Sequence, residues 1–172
     1  FMIDDGALEG VDEVYGIHLW NYQKYGTIGV KSGPIMAAAD IFEITVHGKG
    51  GHGAAPQGTK DAVLIAAHLI QTLQTIVSRN TNPIESTVVT VGQINGGYNF
   101  NIIADKVTLR GTTRAYTEDN RQLIKQRMKE IIAGTEKTFD TKIDYDYEDG
   151  YPPTINNPDA AANLLHSAKT VS

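Results

Sequence analysis

Four side chains stand where a reactive or binding group could work: His52, His18, Arg114 and Asn101. His52 sits in Gly48-Lys49-Gly50-Gly51-His52-Gly53, shortly before Pro56. Glycines on both sides let the backbone come close to a ligand, and an imidazole N–H held there could stabilise a developing oxyanion. Spacing alone leaves equal room for an ordinary loop histidine. His18 lies in an apolar run between Ile17 and Leu19. A lone strand histidine is more often a core residue than a ligand, because a metal site needs three or four donors. No His-x-His or His-Glu-x-x-His pair accompanies it, and His47, His68 and His166 are isolated. These three read as structural or surface residues. Arg114 follows Gly111-Thr112-Thr113 and shares a polar strand face with Arg110 and Thr112. A guanidinium there could clamp a carboxylate through two hydrogen bonds, or simply be solvated. Asn99 and Asn101 flank Phe100 and could add amide hydrogen bonds.

The elements that must position these groups follow from periodicity. Val14–Trp20 and Thr27–Lys31 read as strands before the Gly33-Pro34 break. Phe42, Ile44 and Val46 alternate with polar residues, which predicts a half-buried strand. Thr59 is the expected cap of a helix whose apolar stripe is Ala62, Ala66, Leu69, Leu73 and Ile76. Thr87–Ile94 is β-branched and reads as a strand, as does Asp105–Ala115. Thr117 caps a second helix with Ile124, Met128 and Ile131 on its buried face, and Gly134 weakens its end. Ile143, Tyr145 and Tyr147 alternate with acidic residues in a last strand. The order β-α-β-β-α-β predicts an α+β fold. It is a ferredoxin-like sandwich, a four-stranded antiparallel sheet with two helices on one face. After Pro152-Pro153, a further helix runs from Asn157 or Pro158 toward His166. The expected organisation is a complete domain over residues 34–150, inserted between segments 1–33 and 151–172 of a second domain.

Several function classes fall away. The stretch Gly48–Gly53 matches G-x-G-x-x-G formally, but five residues separate it from the helix, so no dinucleotide phosphate would meet the helix N-terminus. No acid follows the next strand to hold a ribose. No Walker Gly-Lys-Ser/Thr is present. An RNA-recognition domain shares the βαββαβ order but needs aromatics on its third strand, and Lys106–Thr113 has none. The chain of 172 residues carries 15 basic and 20 acidic residues, a net charge of −5, which disfavours nucleic acid and anionic membrane surfaces. With no cysteine there is no disulfide, zinc ribbon or thiol nucleophile. No apolar run approaches the roughly 18 residues of a membrane span, and no signal peptide is evident. The chain starts at Phe1 and reads as a fragment.

A longer pattern adds to this reading. The strings YGIHLW, GPIMAAADIFEITVHGKGGHGAAPQGTKDAV, LQTIVSRNTNP, VVTVGQINGGYNFNIIAD, LRGTTRAY and YPPTINN occur in that order along nearly the whole chain. Together they resemble the amidohydrolase branch of the aminoacylase and carboxypeptidase metallopeptidases. That branch includes hippurate hydrolases, N-acyl-L-amino-acid amidohydrolases, N-acetyl-diaminopimelate deacetylases and plant indole-acetyl-amino-acid hydrolases. The resemblance implies an α/β catalytic domain with two divalent metal ions, zinc first, or manganese, cobalt or nickel. It also implies an inserted ferredoxin-like lid that dimerises. His18 in GIHLW then matches a metal ligand. His52 in GGHGAAP matches a lid histidine that polarises the scissile carbonyl, typically in the partner subunit. Asn101 in NIIAD matches a substrate-binding asparagine, with Ala104 where the family usually has proline. Arg114 in GTTRA matches the residue that holds the substrate carboxylate. The family's Cys-x-His pair, tandem glutamates and last ligand histidine have no match in these residues. The expected function is therefore part of a cytoplasmic, homodimeric enzyme that hydrolyses N-acyl amino acids, with this segment inactive alone and holding no metal tightly. The alternative is a non-catalytic dimerisation or ligand-binding module that retains only the lid. Pairing of two lids is expected through the edge formed by Glu85–Ile94.

Overall fold

The computed structural model describes residues 2–171. The chain divides into two compact units, Pro34–Ile155 and the pair of segments Phe1–Gly33 and Asn156–Ser172. The larger unit begins with β1 (Gly33–Met36) and β2 (Ala39–His47), followed by the two-residue β3 (Gly51–His52). Helix α1 (Ala62–Thr75) continues into one wider turn at Ile76–Asn80. Then come β4 (Thr87–Gly96), the short β5 (Ile102–Ile103), β6 (Lys106–Ala115), α2 (Glu118–Phe139), β7 (Lys142–Tyr151) and β8 (Thr154–Asn156). The main sheet has the order β4-β6-β2-β7 and every pairing in it is antiparallel. This is the expected ferredoxin-like α+β sandwich, with β4 and β7 at the edges.

The core follows the parity of the strands. Phe42, Ile44 and Val46 of β2 and Val107 and Leu109 of β6 face the helices and are almost fully buried. Ile65, Ala66, Leu69 and Leu73 of α1 and Ile124 and Met128 of α2 close over them. By length and composition Ala62–Asn80 is apolar enough to cross a membrane. Its apolar stripe is instead spent on the sheet, as expected for a core helix. Gly111 marks the tightest crossing: a Cβ there would stand 2.2 Å from the Thr90 carbonyl oxygen and 2.3 Å from Phe42 Cζ.

Three local expectations are corrected. Asp61, not Thr59, caps α1; its carboxylate accepts from the amides of Val63 at 2.9 Å and Leu64 at 3.2 Å. The Thr59 hydroxyl is turned back to the Pro56 carbonyl. Helix α2 runs through Gly134 and stops only at Asp140, which is left-handed with φ 47°. Buried Ile131, Ile132 and Thr135 flank that glycine and outweigh its propensity cost of about 1 kcal/mol. Finally, residues 14–20 and 27–31 form no strands. A strand exists only through its neighbours, and among the described residues nothing pairs with these segments; Ile17 is 91% exposed. In the same unit α3 (Pro158–Val171) forms as expected, its first amides at Asp159 and Ala160 capped by the Asn157 side chain.

Candidate functional site

Two loops beyond the β2 and β6 ends zip together and carry two of the four candidate residues. The Gly48 amide donates to the Asp105 carbonyl at 2.7 Å, Gly51 pairs with Ile103, His52 pairs with Ile102, and the Gly53 amide donates to Asn101 O at 2.8 Å. Glycine is needed here for closeness. A Cβ on Gly50 or Gly53 would stand 3.0 or 3.1 Å from the carbonyl oxygens of Ile103 and Asn101. His52 and Asn101 are thus neighbours on one ribbon, and both side chains are exposed.

The His52 ring is oriented by its own loop. The Ala54 amide donates to Nδ1 at 3.1 Å. An acceptor Nδ1 carries no proton, so the neutral ring holds its hydrogen on Nε2, which is left as a donor on an exposed side chain. Beside it Phe100 is 98% exposed, and the Tyr98 hydroxyl donates to Asp105 at 2.8 Å, which steadies the loop.

Arg114 lies near the far end of β6, on the outer face that no helix covers. About 26 Å of strand separates it from Lys106, at the end where the His52 ribbon begins. The structure therefore does not bring Arg114 and His52 of one chain together. Among the described residues every side-chain hydrogen bond of Arg114 uses Nη1: to Thr112 Oγ1, to the Thr113 carbonyl at 2.8 Å and to the Asp40 carbonyl at 3.5 Å. Among the described residues no carboxylate pairs with it, so Nε and Nη2 remain as an open fork of donors. Arg110 and Thr112 share this face, beside a shallow groove that also includes Ile41 and Thr90.

His18 belongs to the smaller unit. Its ring stacks on Trp20 at 4.5 Å and its Nδ1 lies 2.9 Å from the Leu19 carbonyl. Among the described residues no three His, Cys, Asp or Glu side chains gather as a metal site. His18 alone does not fit a metal ion, still less a pair; it can supply one donor through Nε2.

A buried polar cluster escaped the sequence reading. Asp40 is 1% exposed and receives four donors: Arg121 Nε at 2.9 Å, Arg121 Nη2 at 2.6 Å, the Tyr147 hydroxyl at 2.9 Å and the Gly150 amide at 2.9 Å. Burial pushes the Asp40 carboxyl up, but the Arg121, Gly150 and Tyr147 hydrogen bonds outweigh it and hold the group below the usual carboxylate range. Burial, with the Asp40 charge nearby, pushes the Tyr147 hydroxyl well above the ordinary phenol range. The signal was present in the parity: positions 40, 42, 44 and 46 share one strand face, so a carboxylate at 40 must be buried and must find a partner.

Comparison with known proteins supplies the wider frame. A family profile described as a peptidase dimerisation domain matches residues 39–139. N-acetyl-L-cysteine deacetylase of Bacillus subtilis is 41% identical over 167 residues, covering 97% of this chain and 40% of that protein. A crystal structure from methicillin-resistant Staphylococcus aureus, described as an aminohydrolase, superposes with a TM-score of 0.90 at 33% identity, covering 99% of this chain and 46% of the other. The Bacillus subtilis YXEP protein, a dinuclear metal-binding peptidase, gives 0.74 at 25% identity, covering 99% and 42%. The chain thus spans less than half the length of the relatives it matches.

Proposed function

The chain belongs to the M20 peptidase family and carries its dimerisation domain, and from that premise we propose that it is the lid of a dimeric hydrolase of N-acyl amino acids. The similarity to N-acetyl-L-cysteine deacetylase supports both the reaction class and an N-acyl amino acid as substrate. The reading includes a cytoplasmic enzyme whose two divalent metal ions, zinc first, are held by other parts of the whole protein, with His18 as one ligand. Metal would activate the hydrolytic water there. This segment's own residues do the positioning. His52 presents Nε2–H to the amide carbonyl and stabilises the charge that develops on its oxygen. Asn101, on the same ribbon, adds an amide hydrogen bond. Arg114 holds the free carboxylate with its open Nε and Nη2 fork.

The observation that carries this reading is the separation of His52 and Arg114 along β6. A small N-acyl amino acid does not span about 26 Å of strand. Both residues serve one substrate only if they come from different chains, which makes the dimer part of the site. The exposed β4 edge supports such a dimer: Thr87–Gly96 carries no charge, and Val88 and Ile94 stand exposed on it.

Complementation in the whole enzyme tests this. His52→Ala and Arg114→Ala homodimers should each lose at least about 100-fold in kcat/KM. Unfolding the two together and refolding them should restore about a quarter of wild-type activity, because half the dimers are mixed and each mixed dimer has one intact site. No recovery on mixing would refute the shared site.

A further inference from the structure

We propose that Asp40, Arg121 and Thr112 form a positioning device that fixes the Arg114 guanidinium and keeps its Nε and Nη2 edge turned to the substrate carboxylate. The inference rests on the reading of Arg114 given above. Arg121 and the Gly150 amide clamp the Asp40 carboxylate from the helix side of the sheet, which fixes the β2 backbone at its start. That backbone then works on the opposite face. The Asp40 carbonyl accepts from Thr112 Oγ1 at 2.5 Å and from Arg114 Nη1 at 3.5 Å. Thr112 Oγ1 in turn accepts from Arg114 Nη1. The hydroxyl thus relays one fixed carbonyl to one nitrogen of the guanidinium.

The arrangement has a chemical consequence. Arginine side chains on open sheet faces lose considerable rotamer freedom when they bind an anion. Here that freedom is already restricted on the Nη1 side, while the planar fork on the other side stays unpaired. Tyr147 ties the device together, accepting from the Thr113 hydroxyl at 2.6 Å while donating its one proton to Asp40. Thr113 is the register partner of Asp40 and the source of the third Nη1 acceptor. Asp40, Arg121 and Tyr147 lie on the helix side of the sheet and Thr112 acts through its hydrogen bond to Nη1, so these are positioning residues and Arg114 is the contact.

The test uses the whole enzyme and two substrates, an N-acetyl amino acid and its carboxamide, which lacks the carboxylate. Thr112→Val removes the relay hydroxyl while leaving the Asp40–Arg121 pair intact. Arg121→Lys keeps a charge but loses the two-pronged clamp, and serves as the second variant. The expected result for Thr112→Val is a KM for the carboxylate substrate raised about 5- to 10-fold, kcat within about twofold, and an unchanged KM for the carboxamide. Thr112→Ser, which retains the hydroxyl, should restore the wild-type KM. Arg114→Ala is run beside them. If Arg114→Ala leaves carboxylate preference intact, the assignment of Arg114 itself fails. If Arg114→Ala abolishes that preference while Thr112→Val and Arg121→Lys leave both KM values unchanged, or raise both alike, the positioning device is overturned.

Discussion

Replacing Asp40 by asparagine isolates the energetics of the buried pair. All four groups aimed at this side chain are donors: two nitrogens of Arg121, the Gly150 amide and the Tyr147 hydroxyl. A carboxylate can accept all of them, whereas an amide offers one oxygen and turns its NH2 toward further donors. The change also leaves a guanidinium whose side chain is only 9% exposed without its main counter-charge. Breaking a buried pair in this way costs about 3–5 kcal/mol. Arg121 keeps weaker contacts with Asp149 at 3.4 Å and Glu118 at 3.5 Å, so the low end applies, about 3 kcal/mol. For a unit of this size that is a fall in Tm of roughly 10 °C. Replacing both partners, as Asp40→Leu with Arg121→Met, should recover part of the loss, because no unpaired buried guanidinium remains, while the Gly150 amide and the Tyr147 hydroxyl still lose their acceptor. The pH dependence has a definite sign. Asp40 titrates lower in the folded state than in the unfolded chain, so its stabilisation is present above the ordinary carboxylate range and is lost as pH falls through the folded value. The gap between wild type and Asp40→Asn should therefore be flat from about pH 5 to 8 and begin to close below about pH 4. The single tryptophan, Trp20, lies outside this unit, so urea unfolding is best followed by far-UV circular dichroism or by hydrogen exchange of β2 amides. A single variant costing under about 1 kcal/mol, or a double variant no more stable than the single, would refute the reasoning.

Two further outcomes can be checked on purified protein. Gly111→Ala should destabilise by about 2–3 kcal/mol in urea titrations, since the added methyl meets a backbone carbonyl and the Phe42 ring and neither can withdraw cheaply. Val88→Lys places a charge on the exposed β4 edge; analytical ultracentrifugation at tens of micromolar should then show monomer where the unmodified protein sediments as dimer, with far-UV circular dichroism unchanged.

The four main strands and both core helices were legible because each carries its own periodicity. Phe42, Ile44 and Val46 announce β2 without reference to anything else. Val14–Trp20 carries a similar run but forms no strand, because pairing partners cannot be read from the segment that needs them. Capping by Asp61 over Thr59 turned on where the helix begins, at Ala62, which the apolar stripe alone does not fix. The neighbouring positions of His52 and Asn101 came from register, which spacing alone does not supply. Two properties of the site were beyond any pattern: the Ala54 amide that sets the His52 tautomer, and the choice of Nη1 for every Arg114 contact. Both depend on side-chain orientation. The Asp40–Arg121 pair is the opposite case, since strand parity at 40 and helix spacing at 121, 124 and 128 put both charges on buried faces.

The two edges of the sheet are unlike, and this limits how far assembly can proceed. An edge such as β4 is adhesive toward a copy of itself, whereas β7 exposes Asp144, Asp146, Glu148 and Asp149. Two copies meeting β4 to β4 bury both adhesive edges and present an acidic border at each end of the joined sheet. Like charge then repels any further strand. On the proposed β4 pairing, growth would stop at two and a fibre would have no free end from which to start.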